Sequence, residues 1–74
     1  MKFVVCFQKE GLGDITGDDL TLGRCYEVID EPDAHGMLRV IDDSGEDYLY
    51  PTALFAPVDM APAIAVRLHT ALAA

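Results

Sequence analysis

The stretch that decides the fold is Met37-Leu38-Arg39-Val40-Ile41-Asp42-Asp43-Ser44-Gly45-Glu46-Asp47-Tyr48-Leu49-Tyr50-Pro51. Before its centre, Leu38 and Val40 fall on one face of an extended segment, and after it Tyr48 and Tyr50 fall on one side with Leu49 on the other, which is typical of β-strands. Asp43-Ser44-Gly45 at the centre is typical of a tight connection, because glycine adopts a positive φ at no steric cost. Pro51 ends the second strand. The stretch therefore predicts an antiparallel hairpin with strands at residues 37–42 and 46–50.

The residues before this hairpin predict two further strands. Residues 2–7 are β-branched, aromatic or sulfur-bearing, and residues 24–30 resume the same character with Tyr26 and Val28 on one face. Between them, residues 8–19 are rich in glycine and acids and predict a loop that folds back on itself. Leu20-Thr21-Leu22 alternates again, which predicts a short extended segment before Gly23.

The residues after the hairpin predict a 3₁₀ turn at residues 52–55, a last short strand from Pro57, and a helix from Asp59. Alanine dominates after Asp59 and favours a helix. Asp59 is expected to cap it, and Pro62 is tolerated in its first turn. An apolar stripe recurs every four residues, and it either folds over an open end of the barrel or pairs with a second copy or a partner helix. Its members are Met60, Ile64, Leu68 and Leu72.

Short antiparallel strands at close spacing in 74 residues predict a mainly β fold. A five-stranded barrel closes its own edges, which suits a chain too short for a sandwich. We expect a barrel at residues 1–58 and a C-terminal α-helix at residues 59–74. The predicted interior residues are Val4, Cys6, Leu20, Leu22, Tyr26, Val28, Leu38, Val40, Tyr50 and Phe55.

Several runs of the chain resemble consecutive parts of a Src-homology-3 (SH3) domain. Asp18-Asp19-Leu20-Thr21-Leu22-Gly23-Arg24-Cys25-Tyr26-Glu27-Val28-Ile29 resembles the diverging turn and second strand, and Leu38-Arg39-Val40 resembles the third strand. Ser44-Gly45-Glu46-Asp47-Tyr48-Leu49-Tyr50-Pro51 resembles the return of the distal hairpin, and residues 52–58 resemble the 3₁₀ turn and closing strand. The resemblance covers residues 2–58 and implies an SH3-like barrel with Tyr50 inward and Leu54 outward. Leu54→Ala is then expected to cost little stability and Phe55→Ala roughly 3–5 kcal/mol.

The aromatic groove that SH3 domains use for proline-rich peptides is largely missing. The tryptophan pair of the family is replaced by Met37-Leu38, and its Pro-Ser-Asn-Tyr run by Pro51-Thr52-Ala53-Leu54. Only Phe7 lies near the place of the paired tyrosines. The resemblance therefore implies a scaffold that does not bind ordinary proline-rich peptides. The acidic loop, which in the family meets a basic ligand residue, is retained.

The net charge of the chain favours some classes of binding partner over others. Thirteen Asp and Glu against five Lys and Arg give a formal net charge of −8. This argues against binding to nucleic acid or to an anionic membrane, and it permits a basic protein partner. The N-terminal apolar run lacks a small-residue cleavage site, and no apolar run is long enough to span a bilayer, so we expect a cytoplasmic protein.

No constellation of catalytic, cofactor or metal-binding residues is recognisable. Cys6, Cys25, His35 and His69 lack the spacing of a metal site. The hairpin acids at 42, 43, 46 and 47 lack an alternating ligand pattern and are interpreted as a solvated turn. Cysteine usage favours free thiols, although a Cys6–Cys25 bridge stays open if their strands are neighbours. We expect no enzyme, no cofactor and no metal.

The sequence thus predicts a small acidic interaction module. Its expected partner contacts are Glu10, Asp14, Asp18, Asp19, Leu49, Pro51 and Leu54. One alternative is an acidic inhibitor or nucleic-acid mimic of phage or immunity type, because all thirteen acids lie within the first 59 residues. A second alternative is a structural barrel that forms homo-oligomers through the helix stripe.

Overall fold

The computed structural model describes residues 1–10, 17–30 and 32–73, and it shows a mainly β fold with one C-terminal helix. The predicted count of five antiparallel strands is confirmed. The elements in chain order are β1 (Lys2–Cys6), β2 (Cys25–Asp30), β3 (Met37–Ile41), β4 (Asp47–Pro51), a 3₁₀ turn (Thr52–Leu54), β5 (Phe55–Val58) and α1 (Pro62–Ala73).

The strands form one antiparallel sheet in the order β4-β3-β2-β1-β5. The predicted hairpin is present as β3 and β4, with Leu38 opposite Tyr50 and Val40 opposite Tyr48. Gly45 lies in its turn at φ 85°, the conformation for which the sequence predicted a glycine. Its amide donates to the Asp42 carbonyl at 3.0 Å and closes the turn.

The sheet is strongly curled. β4 and β5 are its two edge strands, yet only the 3₁₀ turn separates them along the chain. Tyr50 of β4 and Phe55 of β5 contact each other edge-on, with ring centroids 6.4 Å apart. Within the described ranges no hydrogen-bonded ladder pairs β4 with β5. Side-chain packing therefore joins the two edges.

The interior of the curl confirms most of the predicted core. Its buried cluster consists of Val4, Cys6, Leu20, Tyr26, Leu38, Val40, Tyr50, Leu54 and Phe55, with Val28 packed against it. Leu22 is the exception, since 58% of its surface is exposed. The extended segment predicted at 20–22 is wrong, because residues 22 and 23 form a turn in which Gly23 has φ 83°.

The predicted outward position of Leu54 is also wrong. Its side chain is fully buried, and its neighbour Phe55 is buried as well. Two successive residues can both face inward here because the chain changes from a 3₁₀ turn to an extended strand between them, which interrupts the alternation of faces. Leu54 therefore belongs to the core and is not available for a surface contact.

The helix begins later than the composition suggested. Its first turn starts after Ala61, whose carbonyl accepts hydrogen bonds from the amides of Ile64 and Ala65. Asp59 lies before that point, so the predicted cap is wrong, whereas the place of Pro62 in the first turn is confirmed. Residues four apart drift by about 40° around a helix. The stripe consequently winds away from the sheet, leaving Ile64 52% and Leu72 55% exposed while Met60 and Leu68 are half-buried.

The helix lies on the outer face of the sheet. Phe3 of β1 is directly opposite Glu27 of β2, and both point away from the interior cluster. Phe3 is nevertheless buried, as is Ala65 of the helix, and His69 contacts Glu27. The helix therefore packs against the outer face of the sheet at β2. No helix in the described part of the chain is long and apolar enough to cross a membrane.

Because Leu54 is buried and Leu22 is exposed, truncating these two leucines should lower the free energy of unfolding by very different amounts. Leu54→Ala should lower the free energy of unfolding by about 2–5 kcal/mol, because it leaves a cavity in the interior. Leu22→Ala should change it by less than about 0.5 kcal/mol, because the side chain is mostly in solvent. Urea unfolding of both variants measures the difference, and equal small losses would show that the inward position of Leu54 is wrong.

Candidate functional site

The two described ends of the loop between β1 and β2 lie side by side. The Lys9 ammonium donates to the Leu20 carbonyl at 2.8 Å, and the Gly23 amide donates to the Cys6 carbonyl at 2.7 Å. These bonds bring Glu10 and the Asp18–Asp19 pair to one side of the molecule. We name these three residues the acidic edge. Asp14, predicted with them, lies outside the described residues.

Exposed apolar side chains lie around the 3₁₀ turn and the strands that flank it. The Phe7 amide donates to the Leu54 carbonyl at 3.0 Å, and the Gln8 side-chain amide donates to the Ala53 carbonyl at 2.7 Å. Phe7, 58% exposed, is thereby held beside the 3₁₀ turn. Ala53 is exposed and Pro51 half-buried, and Leu49 shares the face of Pro51 because the two are two positions apart on β4. We name these residues the apolar strip: Phe7, Leu49, Pro51 and Ala53.

Asp43 holds the loop against the β3–β4 hairpin. Its carboxylate accepts hydrogen bonds from the Thr21 hydroxyl at 2.7 Å, the Tyr26 hydroxyl at 2.8 Å and the Arg24 guanidinium at 3.1 Å. Its backbone amide donates to the Asp19 carbonyl at 2.8 Å. Thus one hairpin residue fixes the chain on both sides of the turn that precedes β2. We name Thr21, Arg24, Tyr26 and Asp43 the Asp43 cluster.

The interpretation of the hairpin acids as a solvated turn is wrong for two of the four. Asp42 is buried and accepts from the Tyr50 hydroxyl at 2.7 Å and from the Ser44 amide at 2.9 Å. The Asp43 side chain is only 20% exposed. Both carboxylates receive donors from outside their own turn, so they shape the structure and are not simply hydrated.

Ionisation in these clusters follows burial and hydrogen bonding. Burial opposes the charge on Asp43, but the bonds from Thr21, Tyr26 and Arg24 outweigh it and lower the pKa of the carboxyl. Burial raises the pKa of Tyr26, and the adjacent Asp43 raises it further. Burial and the bond to Asp42 raise the pKa of Tyr50 strongly. The fold therefore favours carboxylates paired with neutral phenols at this end of the sheet.

The acidic edge differs from most other acids of the described residues because its carboxylates have no hydrogen-bond or ion-pair partners. The engaged carboxylates are Glu27 with His69, Asp30 and Asp47 with Arg39, Asp33 within its own turn, Asp42 and Asp43 as above, and Glu46 with Tyr48. In residues 1–10, 17–30 and 32–73, the side chains of Glu10, Asp18, Asp19 and Asp59 have no hydrogen bond or ion pair. Three of these four form the acidic edge, so its carboxylates are available to a partner.

A second polar pair lies between the helix and the sheet and was missed by sequence reasoning. Nδ1 of His69 is 2.7 Å and 2.8 Å from the two carboxylate oxygens of Glu27. A cavity of about 480 Å³ adjoins the pair, lined also by Cys25, Ile41 and Leu72. The sequence gives no indication of this pair, because Glu27 occupies an outward strand position, where a carboxylate usually faces solvent.

The two cysteines are free, in agreement with the favoured interpretation. Their strands are neighbours, but Val5, and not Cys6, is opposite Cys25. Cys6 therefore points into the core and Cys25 to the outer face, and burial raises the pKa of the Cys6 thiol. In the described ranges no group of three or more His, Cys, Asp or Glu side chains is arranged to hold a metal ion.

Comparisons with known proteins assign the chain to no family: no family model, no curated protein and no solved structure matches it.

The Asp43 cluster predicts a specific acid dependence of stability. Because the pKa of Asp43 is lowered in the folded state, its ionised form stabilises the fold above the usual carboxyl pKa of about 4. That contribution is lost as the pH falls through the lower folded value. Asp43→Asn should cost about 1–3 kcal/mol at neutral pH and progressively less in acid.

Urea unfolding measured from neutral pH into strong acid tests this expectation. Thr21→Val is the matched variant, because it removes one of the three donors and should give an intermediate pH dependence. Parallel curves for the wild type and Asp43→Asn would show that the carboxylate is not held as described.

Proposed function

We propose that this protein is a small SH3-like interaction module that binds a basic segment of a partner protein at the acidic edge and the apolar strip. The order of hairpin, 3₁₀ turn and closing strand agrees with the SH3 resemblance. The single observation that carries the proposal is that Glu10, Asp18 and Asp19, at the two described ends of one loop, have no hydrogen bond or ion pair, whereas most other acids of the described residues do.

The chemistry of the surface favours lysine and arginine side chains as ligands. Carboxylates accept charge-assisted hydrogen bonds from guanidinium and ammonium groups, and Arg can do so with two parallel bonds. A net charge of −8 also steers a basic partner toward the protein from a distance. Exposed Phe7 next to the acids can cover the aliphatic stem of such a side chain.

The composition of the apolar strip favours binding of a peptide that is not rich in proline. A polyproline helix docks against aromatic walls. Here the two positions that would supply them are half-buried Met37 and fully buried Leu54, and Phe7 is the one exposed ring of the strip. A basic extended peptide with apolar neighbours therefore fits this surface better than a proline-rich one.

Neutralising the acidic edge should weaken binding far more than the same charge change elsewhere. The probe is a short capped peptide in which Arg alternates with Leu, titrated by calorimetry at low and at physiological salt. The triple variant Glu10→Gln, Asp18→Asn, Asp19→Asn should bind at least about tenfold more weakly, since each exposed pair contributes up to about 1 kcal/mol.

A matched control removes three charges from another part of the surface. Asp30→Asn, Glu46→Gln and Asp47→Asn together should reduce the affinity by less than about threefold, because these side chains already have partners. If both triple variants weaken peptide binding equally, binding depends on the overall charge of the protein, and the alternative of an acidic nucleic-acid mimic is favoured. Absence of binding by the wild type would overturn the proposal.

A further inference from the structure

The two edge strands of the sheet differ in the backbone groups that they leave free, and β5 leaves no donor. The Phe7 amide donates to the Leu54 carbonyl at 3.0 Å. Bonded pairs alternate along an antiparallel ladder, so Phe55 and Pro57 turn their backbones away from β1. The Phe55 amide donates to the Thr52 carbonyl within the 3₁₀ turn, and proline has no amide hydrogen. The open side of β5 therefore cannot donate to an added strand.

The other edge strand, β4, keeps two free donors. The Asp42 amide donates to the Glu46 carbonyl at 2.9 Å, which makes these two residues a bonded pair at the end of the hairpin. By the same alternation Tyr48 bonds to β3, whereas Asp47 and Leu49 turn their amides and carbonyls away from it. Neither amide has a partner in the described chain, and residues 47–49 are exposed. The open side of β4 can therefore pair with a further strand.

The two faces of β4 differ in polarity. Leu49 and Pro51, members of the apolar strip, lie on one face, and Tyr48 lies on the other. The hydrogen bond to Glu46 raises the pKa of Tyr48, and the charge of Asp19 contributes to the same rise. Asp19 of the acidic edge therefore acts on the Tyr48 side of the strand. An added strand would meet apolar side chains on one face and negative charge on the other.

We propose that the partner's basic segment binds in an extended conformation as a sixth strand alongside β4, with main-chain hydrogen bonds to Asp47 and Leu49. The inference rests on the proposed function and adds the conformation and position of the bound segment. In strand addition the main chain supplies affinity and alternate side chains supply specificity. Apolar side chains of the segment face Leu49 and Pro51, and basic ones alternate onto the face of Tyr48, toward Asp19.

A second copy of the chain fits this edge less well than a basic segment does. Each copy has a net charge of −8, and Glu46 and Asp47 lie at the start of β4 itself. Pairing two such edges brings like charges together, which is unfavourable, whereas a basic segment brings opposite charges to the same place.

Two isomeric peptides test the strand addition. Both derive from the capped peptide in which Arg alternates with Leu, and they are N-methylated either at every Leu or at every Arg. Leu residues that face Leu49 direct their amides to β4, and the Arg amides then point away. Methylation at Leu should weaken binding at least about tenfold, since it removes main-chain hydrogen bonds, and methylation at Arg should weaken it less than about threefold.

The outcomes separate this inference from the proposed function. Equal losses for the two peptides, or a greater loss on methylation at Arg, would overturn the strand addition. If the unmodified peptide still binds in a way that depends on the acidic edge, the proposed function survives that result. Absence of binding by the unmodified peptide would overturn both.

Amide hydrogen exchange gives a second readout in the wild-type protein. Without peptide, the Asp47 and Leu49 amides should exchange much faster than the Tyr48 amide, and saturating peptide should slow both. Protection that rises with protein concentration in the absence of peptide would identify a second copy on the edge and overturn the proposal. Unchanged exchange in the complex would overturn it as well.

Leu49→Pro removes one of the two donors at a place where an edge strand tolerates proline, because the amide faces away from the sheet. Leu49→Ala is the matched variant, since it also loses the leucine side chain but keeps the amide. Leu49→Pro should bind the unmodified peptide at least about fivefold more weakly than Leu49→Ala, the effect expected for one hydrogen bond. Equal affinities of the two variants would contradict the proposed bond to Leu49.

Discussion

 The hairpin and the chain before β2 are held together by Asp43, the only residue of the described hairpin whose backbone and side chain both bond to that part of the chain. Thr21, Arg24 and Tyr26 donate to its carboxylate across 17 to 22 residues of sequence. Such long-range contacts matter in a domain of 74 residues, because its apolar core is small. The contacts also fix the position of Asp19 and, with it, the acidic edge.

Local periodicity explains which parts of the fold could be predicted from the sequence. The alternation around Leu38 and Val40 and the glycine at position 45 specify the hairpin, because strands place successive side chains on opposite faces. The errors occur where that periodicity is interrupted. Leu22 lies in a turn and is exposed, and Leu54 ends a 3₁₀ turn and is buried. Neither change of conformation is encoded in the pattern of apolar residues.

Some residues of the candidate site could also be predicted from the sequence, and others could not. The acids of the loop and Pro51 could be named from the sequence, because they are near one another along the chain or match the SH3 pattern. Asp43 and the Glu27–His69 pair could not be named, since their contacts are with residues far away in sequence. An aspartate whose carboxylate accepts three hydrogen bonds cannot be told from a hydrated aspartate by its residue type. The structure is needed to separate the engaged acids from the available ones.

Amide hydrogen exchange of the wild-type protein tests the central role of Asp43 most directly. The Asp43 amide donates to the Asp19 carbonyl, and the Thr21 amide donates to the Tyr26 hydroxyl at 2.6 Å. Both amides lie outside the strands, so protection there reports these contacts and not the sheet. The account predicts that both exchange nearly as slowly as the amides of β2 and β3. Exchange at the rate of an unstructured chain would contradict it.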